Sequence, residues 1–362
     1  MMAVRSVDGG TCHVFHAFEA GVAVDLDRAS AAVRGARRTG LQPRDGQPMP
    51  ADFEPQPVTF AVDADSVAIG SVRSSGIAHV TVYDFGALSV RLDLPLAGSA
   101  DGLPSLSRAL VGNAAMLQAA RDAAQRALGM LGDAVERPAL AGATEDYVVF
   151  ALPPVGGAAT LREGLPDQLL ARILRAEEST LAQETVVDAL SASVSWGDAD
   201  LAVVDWNGAV VVDRSPADAL AILEFANAEL VEMRWLDARL DRALEAAFQA
   251  AAASMRGPRI RAVRTARQAR RIAELQIDAA ALYEAVDNAL KLFGDQWVAR
   301  LHQAATRRMH IADYERSVLR KIATLESVYG KVRDRQVQLR AELLEIVIIL
   351  LIAFEVVRSL WP

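Results

Sequence analysis

Residues 80–93 read VTVYDFGALSVRLD, and residues 202–214 read AVVDWNGAVVVDR. Each stretch holds a β-rich run, an Asp–aromatic pair, a Gly-Ala step and a second β-rich run, which is the pattern of a β-hairpin. In the second stretch, Asn207-Gly208 predicts a two-residue turn, because both residue types tolerate the positive φ angles such turns need. A helix-like stretch follows each hairpin. The spacing suggests a duplicated β-α-β-β-α unit, although two unrelated hairpins read the same way.

Working outward, strand-like runs occur at Thr11–Phe18, Val58–Val62, Ala78–Asp84, Ala87–Leu94, Tyr147–Leu152, Leu201–Asp205 and Ala209–Val212. Helix-like runs occur at Asp25–Arg34, Leu103–Leu131, Pro166–Glu177 and Gln183–Ser193. Arg38–Glu54 is rich in Pro and Gly and reads as a loop. The expected fold is therefore α+β, with a mixed α/β body over residues 1–214. Beyond it, Ser215-Pro216-Ala217-Asp218 is a helix start, with a capping hydroxyl, a proline at the first helical position and an acid in the first turn. That helix should reach about Ser254, where Gly257-Pro258 breaks it. A second helix is expected over about 259–293, and a third from Trp297 to the end, with Gly330 a candidate interruption. Short breaks between long helices imply antiparallel neighbours, so residues 215–295 and 296–362 form a helical region and a stalk.

The stalk carries a ladder: Val318, Ile322, Leu325, Tyr329, Val332, Gln336, Leu339, Leu343, Ile346, Leu350, Ala353, Val357 and Leu360. The steps alternate four and three, the 3.5-residue period of a coiled-coil seam. Gln336, at an a-type position, is the one polar rung; it selects a register or marks a loosely packed, solvated stretch. Over 343–360 the helix becomes apolar on all sides, through Leu343, Ile346, Val347, Ile349, Leu350, Ile352, Phe354 and Val357. Such a helix must be covered by protein or by lipid. At ~1.5 Å per residue the segment is about 27 Å long, close to a hydrocarbon core of about 30 Å. Glu345 and Glu355 interrupt it on the face away from the seam. A central acid costs roughly 2.5–3.5 kcal/mol, enough to bring the insertion of a lone helix near balance. The expectation is a transmembrane or membrane-associated tip that works in company with other copies. If it spans, Lys331, Arg333, Arg335 and Arg340 keep the body on the cytoplasmic face.

The formal net charge of −8 hides an asymmetry. Residues 256–362 hold 19 bases and 12 acids, a balance of +7, which leaves −15 for residues 1–255. Arg256, Arg259, Arg261, Arg264, Arg267, Arg270 and Arg271 fall in sixteen residues without an acid. Arg261, Arg264, Arg267 and Arg270 share a slowly drifting helix face and, with Arg271, could pair with phosphate of lipid or RNA. They could equally form a solvated face that pairs with the acidic body. No aromatic residue interleaves with them, which counts against single-stranded nucleic acid.

Catalytic signatures are lacking. There is no phosphate loop, no nucleophile elbow and no zinc-type spacing, so no cofactor or metal is expected. Cys12, His13 and His16 cluster in sequence, yet on a strand His13 and His16 face opposite ways. Asp84 and Asp205 occupy matching hairpin positions; they read as turn aspartates or as a carboxylate pair, which would need about 10 Å or less between them. One cysteine excludes an internal disulfide and suits a reducing compartment, and the first residues lack the apolar core of a signal peptide.

Three segments resemble the family named for the yeast "required for meiotic nuclear division" proteins. They are the hairpin Tyr83–Val90, the helix Glu229–Asp241, with its Leu230…Arg234…Leu236…Leu240-Asp241 pattern, and the tail Leu343–Glu355. The Trp206 hairpin, the arginine ladder and the loop at 38–54 lie outside that resemblance. The resemblance implies a membrane-associated, self-assembling protein without enzymatic activity, of a family whose mitochondrial member supports organellar translation. The combined expectation is a non-enzymatic, homo-oligomeric scaffold or tether, held at the cytoplasmic face of a membrane and self-associating through residues 318–360. The alternatives are an RNA- or ribosome-binding adaptor led by the arginine ladder, and a soluble oligomer with the tip buried at the interface.

Overall fold

The computed structural model describes residues 7–41, 52–154, 165–255 (except 196, 198 and 199), scattered positions between 270 and 284, and 296–360. The fold is α+β. Thirteen strands are described: β1 Thr11–Glu19, β2 Ala23–Val24, β3 Arg37–Arg38, β4 Val58–Asp63, β5 Ala68–Ile69, β6 Val72–Arg73, β7 Ile77–Val82, β8 Ala87–Pro95, β9 Val135–Glu136, β10 Thr144–Leu152, β11 Ser193–Val194, β12 Leu201–Val204 and β13 Gly208–Val212. The helices are α1 Leu26–Ala32, α2 Leu103–Leu110, α3 Ala114–Leu131, α4 Asp167–Leu174, α5 Gln183–Ala189, α6 Ala217–Met255, α7 Gln296–Arg308 and α8 Ile311–Leu360.

Nine strands form one sheet in the order β11-β12-β13-β10-β1-β8-β7-β4-β3. Every pairing in it is antiparallel except β10 with β13. The central strand β1 is buried along nearly its whole length, so both faces of the sheet are covered. On one face Cys12, Val14 and Phe18 join Val80, Leu88, Val90, Leu92, Val148 and Phe150 in an apolar core with α3. Helix α3 lies close because its buried stripe is nearly all alanine: Ala119, Ala120, Ala123, Ala124 and Ala127. The expected single helix over 103–131 is two helices. Gly112, at φ +62, ends the first, and the Asn113 side chain accepts from the backbone of Ala115 and Met116 to start the second.

The two hairpins exist, but they do not repeat one unit. β8 lies antiparallel against β1, whereas β13 lies parallel to β10. Their glycines also differ in purpose. Gly86 takes φ +100, and a Cβ there would meet the Gly21 carbonyl oxygen at 2.0 Å. Neither Asn207 nor Gly208 has positive φ, so the expected Asn-Gly turn geometry is not adopted. Gly208 is needed for close approach instead, because its Cβ would lie 2.3 Å from the Val148 carbonyl oxygen.

The chain divides into two compact units. The first holds residues 1–235 and 281–314, and thus takes in the first half of α6 and all of α7. The second holds 236–280 and 315–362. In the second, Lys321 Nζ on α8 binds the Asp237 and Asp241 carboxylates of α6 at 2.7 and 2.6 Å. Rungs Val318 and Leu325 are buried there, as are Leu236, Leu240 and Ala247 of α6. Val318 and Leu325 are thus covered within their own chain. The stalk does not break at Gly330: α8 runs through it, and the break falls at His310, which adopts φ +57 between α7 and α8.

Candidate functional site

The sheet face opposite α3 carries a polar cluster. The register brings His13, Asp93, Arg91 and His79 together on neighbouring strands. His13 Nδ1 lies 2.7 Å from Asp93 Oδ1, Arg91 Nε 3.1 Å from the same oxygen, and His79 Nε2 3.9 Å from Oδ2. Burial pushes the Asp93 carboxyl up, but the His13 hydrogen bond and the charges of Arg91 and the imidazoles outweigh it, and it ends below the ordinary carboxylate value. Burial, then repulsion by Arg91, lowers the His79 imidazole.

Helix α6 buries acids among its apolar side chains. Glu224, Glu229 and Glu232 are buried, and so is Asn227, whose amide donates to the Glu145 carbonyl at 3.2 Å. His302 Nε2 of α7 lies 3.2 Å from Glu229 Oε2, and Arg234 Nη1 binds Glu145 at 2.6 Å. Burial raises Glu224 against the opposing pull of Arg91, Ser89 and Thr81. Burial and the neighbouring Glu19 charge raise Glu232 much further.

On the apolar face, burial drives the Cys12 thiol up and the His16 imidazole down to about 4, Asp146 opposing the latter. Cys12 and His16 share a face that His13 does not. Among the described residues no group of three or more His, Cys, Asp or Glu could hold a metal.

Asp205 is fully buried between two guanidinium groups. Arg175 Nε lies 2.7 Å from Oδ2, Arg308 Nε donates to Oδ1 at 3.0 Å, and Arg308 Nη2 also reaches Oδ1. Both arginines continue to Asp188 on α5, which the Arg308 hydrogen bond holds below the usual carboxylate value. The Tyr147 hydroxyl donates to the Asp205 carbonyl at 2.9 Å, and Arg175 sits 5.4 Å over the exposed Trp206 ring. This network clamps the β12–β13 turn to α4, α5 and α7. Asp84, half-buried and raised by that burial, belongs to the β7–β8 turn. β8 and β13 are three strand spacings apart, about 14 Å, so the two aspartates do not form a carboxylate pair.

The C-terminal end of α8 presents a different surface. Leu344, Ile346, Val347, Ile348, Ile349, Leu350, Leu351, Ile352, Phe354 and Val356 are each 49–68% exposed. Glu345 and Glu355 are exposed beside them. The Leu343 and Val357 side chains lie outside the described residues, as do Arg261, Arg264, Arg267 and Arg271. Arg270 is exposed, and its Nε lies 3.3 Å from Glu274 one turn on. No helix among the described residues is long and apolar enough to cross a membrane. That corrects the expected transmembrane helix: Glu345, Glu355 and Arg358 all fall within the length a span would need.

The family described as "Uncharacterized protein MJ0711, N-terminal domain" matches residues 9–219. The chain belongs to this family. A relative, the uncharacterized protein MJ0711 of Methanocaldococcus jannaschii, is 19% identical over 194 residues, 53% of this chain and 59% of the relative. No solved structure matches. The matched residues take in the sheet, α1 to α5 and the first three residues of α6, and they stop short of the stalk. Membership overturns the resemblance to the meiotic nuclear division family. Two of the three resembling segments lie beyond the matched residues, and the third is a hairpin whose glycine is dictated by local packing against Gly21.

Proposed function

We propose that the protein is a non-enzymatic scaffold that assembles with copies of itself through the C-terminal end of α8. The observation that carries this reading is the ring of exposed apolar side chains from Leu344 to Val356. A helix apolar on every side is not stable facing water. The 3.5-residue seam runs on through this ring, and that period serves a partner helix, whereas lipid requires none. Covering ten side chains that are now half exposed is worth on the order of 10 kcal/mol per helix, comparable to the cost of association. Glu345 and Glu355 oppose the insertion of a lone helix into lipid. Self-association uses the exposed seam positions Ile346 and Leu350 and the apolar side chains around them.

The test compares the full chain with one ending at residue 342, by light scattering and by flotation with phosphatidylcholine vesicles. The full chain is expected to be a multimer without lipid, and the shortened chain a monomer. A monomeric full chain that floats with vesicles would make lipid the cover and remove the proposal.

A further inference from the structure

With Gln336 set at a, every a, d, e and g position of α8 from Ile346 to Val356 is apolar. A strict a/d stripe suits a pair of helices, whereas a stripe widened to e or g is the face of a helix inside a bundle. Here both flanks of the stripe are widened, and equally. Val347 and Phe354 lie one heptad apart on the e side of the Ile346–Leu350 seam, and Ile349 and Val356 lie one heptad apart on the g side. All six side chains are 49–68% exposed, so their own chain covers neither flank. Resting on the self-association proposed above, we infer that this end of α8 assembles as a closed bundle of four copies, each helix seating its two flanks on two different neighbours.

In a pair of helices the e and g side chains lie at the margin of the contact and stay partly in water. The wider the apolar arc, the more helices it takes to cover it. In a four-helix bundle each helix has two neighbours, so an arc with two apolar flanks is covered on both sides. Leu350 at a with Ile346 at d is also the combination that shifts a coil from two strands towards three or four. The acids agree with this choice of face. Glu345 and Glu355 fall at c and f, on the side the bundle leaves to water, and both are exposed. No charged residue falls on the buried side between Ile346 and Val356, so closing the bundle strands no carboxylate. Both flanks of every helix are used within the ring, and the contact therefore stops at four.

The experiment is sedimentation equilibrium of the full chain in detergent-free buffer, with circular dichroism confirming that each variant is folded. The wild type should sediment at four times the chain mass and grow no further as concentration rises. Val347→Gln with Phe354→Gln should halve that mass, because the a/d seam still joins two helices. Ile349→Gln with Val356→Gln should halve it too, and Ile348→Gln, at an outer f position, should leave four copies. A wild-type dimer, or flank variants that keep four copies, would overturn this inference while leaving the scaffold reading intact. A mass that keeps climbing with concentration would also overturn it, since the contact would then be open. A wild-type monomer would overturn the scaffold reading itself.

Discussion

Asp205 illustrates how one residue holds a turn. Its carboxylate is fully buried and lies between Arg175 and Arg308. Removing one member of a buried ion network strands the others, at a cost of about 3–5 kcal/mol. Asp205→Ala should therefore lower unfolding stability by about that much in urea titrations; a loss under 1 kcal/mol would show the arginines finding water instead. His16 makes a pH prediction with a definite sign. Its folded value is lowered from 6.5 to about 4, burial being the cause, so the unfolded chain binds the proton more readily. Stability is full above pH 6.5 and declines as pH falls towards 4, by about 3 kcal/mol. Urea midpoints measured across that window should show the decline in the wild type, and His16→Gln should flatten it. In the sequence, Asp205 reads as a turn aspartate or as half of a carboxylate pair. Its partners stand 30 and 103 positions away, and no local pattern announces them. The buried acids of α6 are hidden for the same reason: Glu224 and Glu232 look like solvated residues until the polar sheet face opposite them is known.

At the level of elements, local patterning specifies most of what forms. All seven strand-like runs become strands, because alternation of β-branched residues between turn signals has few other outcomes. The two-residue strands β2, β3, β5, β6, β9 and β11 carry too little pattern to be read. Turn geometry is misread where packing overrides it: Gly208 reads as a turn glycine, yet it is held by the approach of Val148. The same happens in the stalk, where Gly330 reads as a break but His310 makes one. The lower stalk carries the Lys321 clip to Asp237 and Asp241 beside the buried Val318 and Leu325. Burial works against the Lys321 charge, but hydrogen bonds to the two aspartates more than compensate and raise its value. Lys321→Met should cost about 1–3 kcal/mol locally, seen as faster hydrogen exchange over residues 315–328 with the sheet unaffected. Unchanged exchange there would show that Val318 and Leu325 hold the helix without the clip.

For the whole molecule, the family match and the assembly surface fall on different parts of the chain. The MJ0711 N-terminal domain accounts for the nine-stranded sheet and the Asp93 cluster on it. The stalk lies beyond the matched residues and carries the exposed apolar surface. The apolar period of the stalk is fully legible in the sequence, because a helix keeps its heptads whatever surrounds it. Which rungs are covered by the same chain is not legible, since that depends on where α6 turns back. The most direct measurement is the native mass of the full chain beside that of the chain ending at residue 342, across a dilution series without detergent. A multimer that dissociates on dilution, against a shortened chain that stays monomeric throughout, is the predicted result. Equal masses for the two chains at every concentration would contradict it.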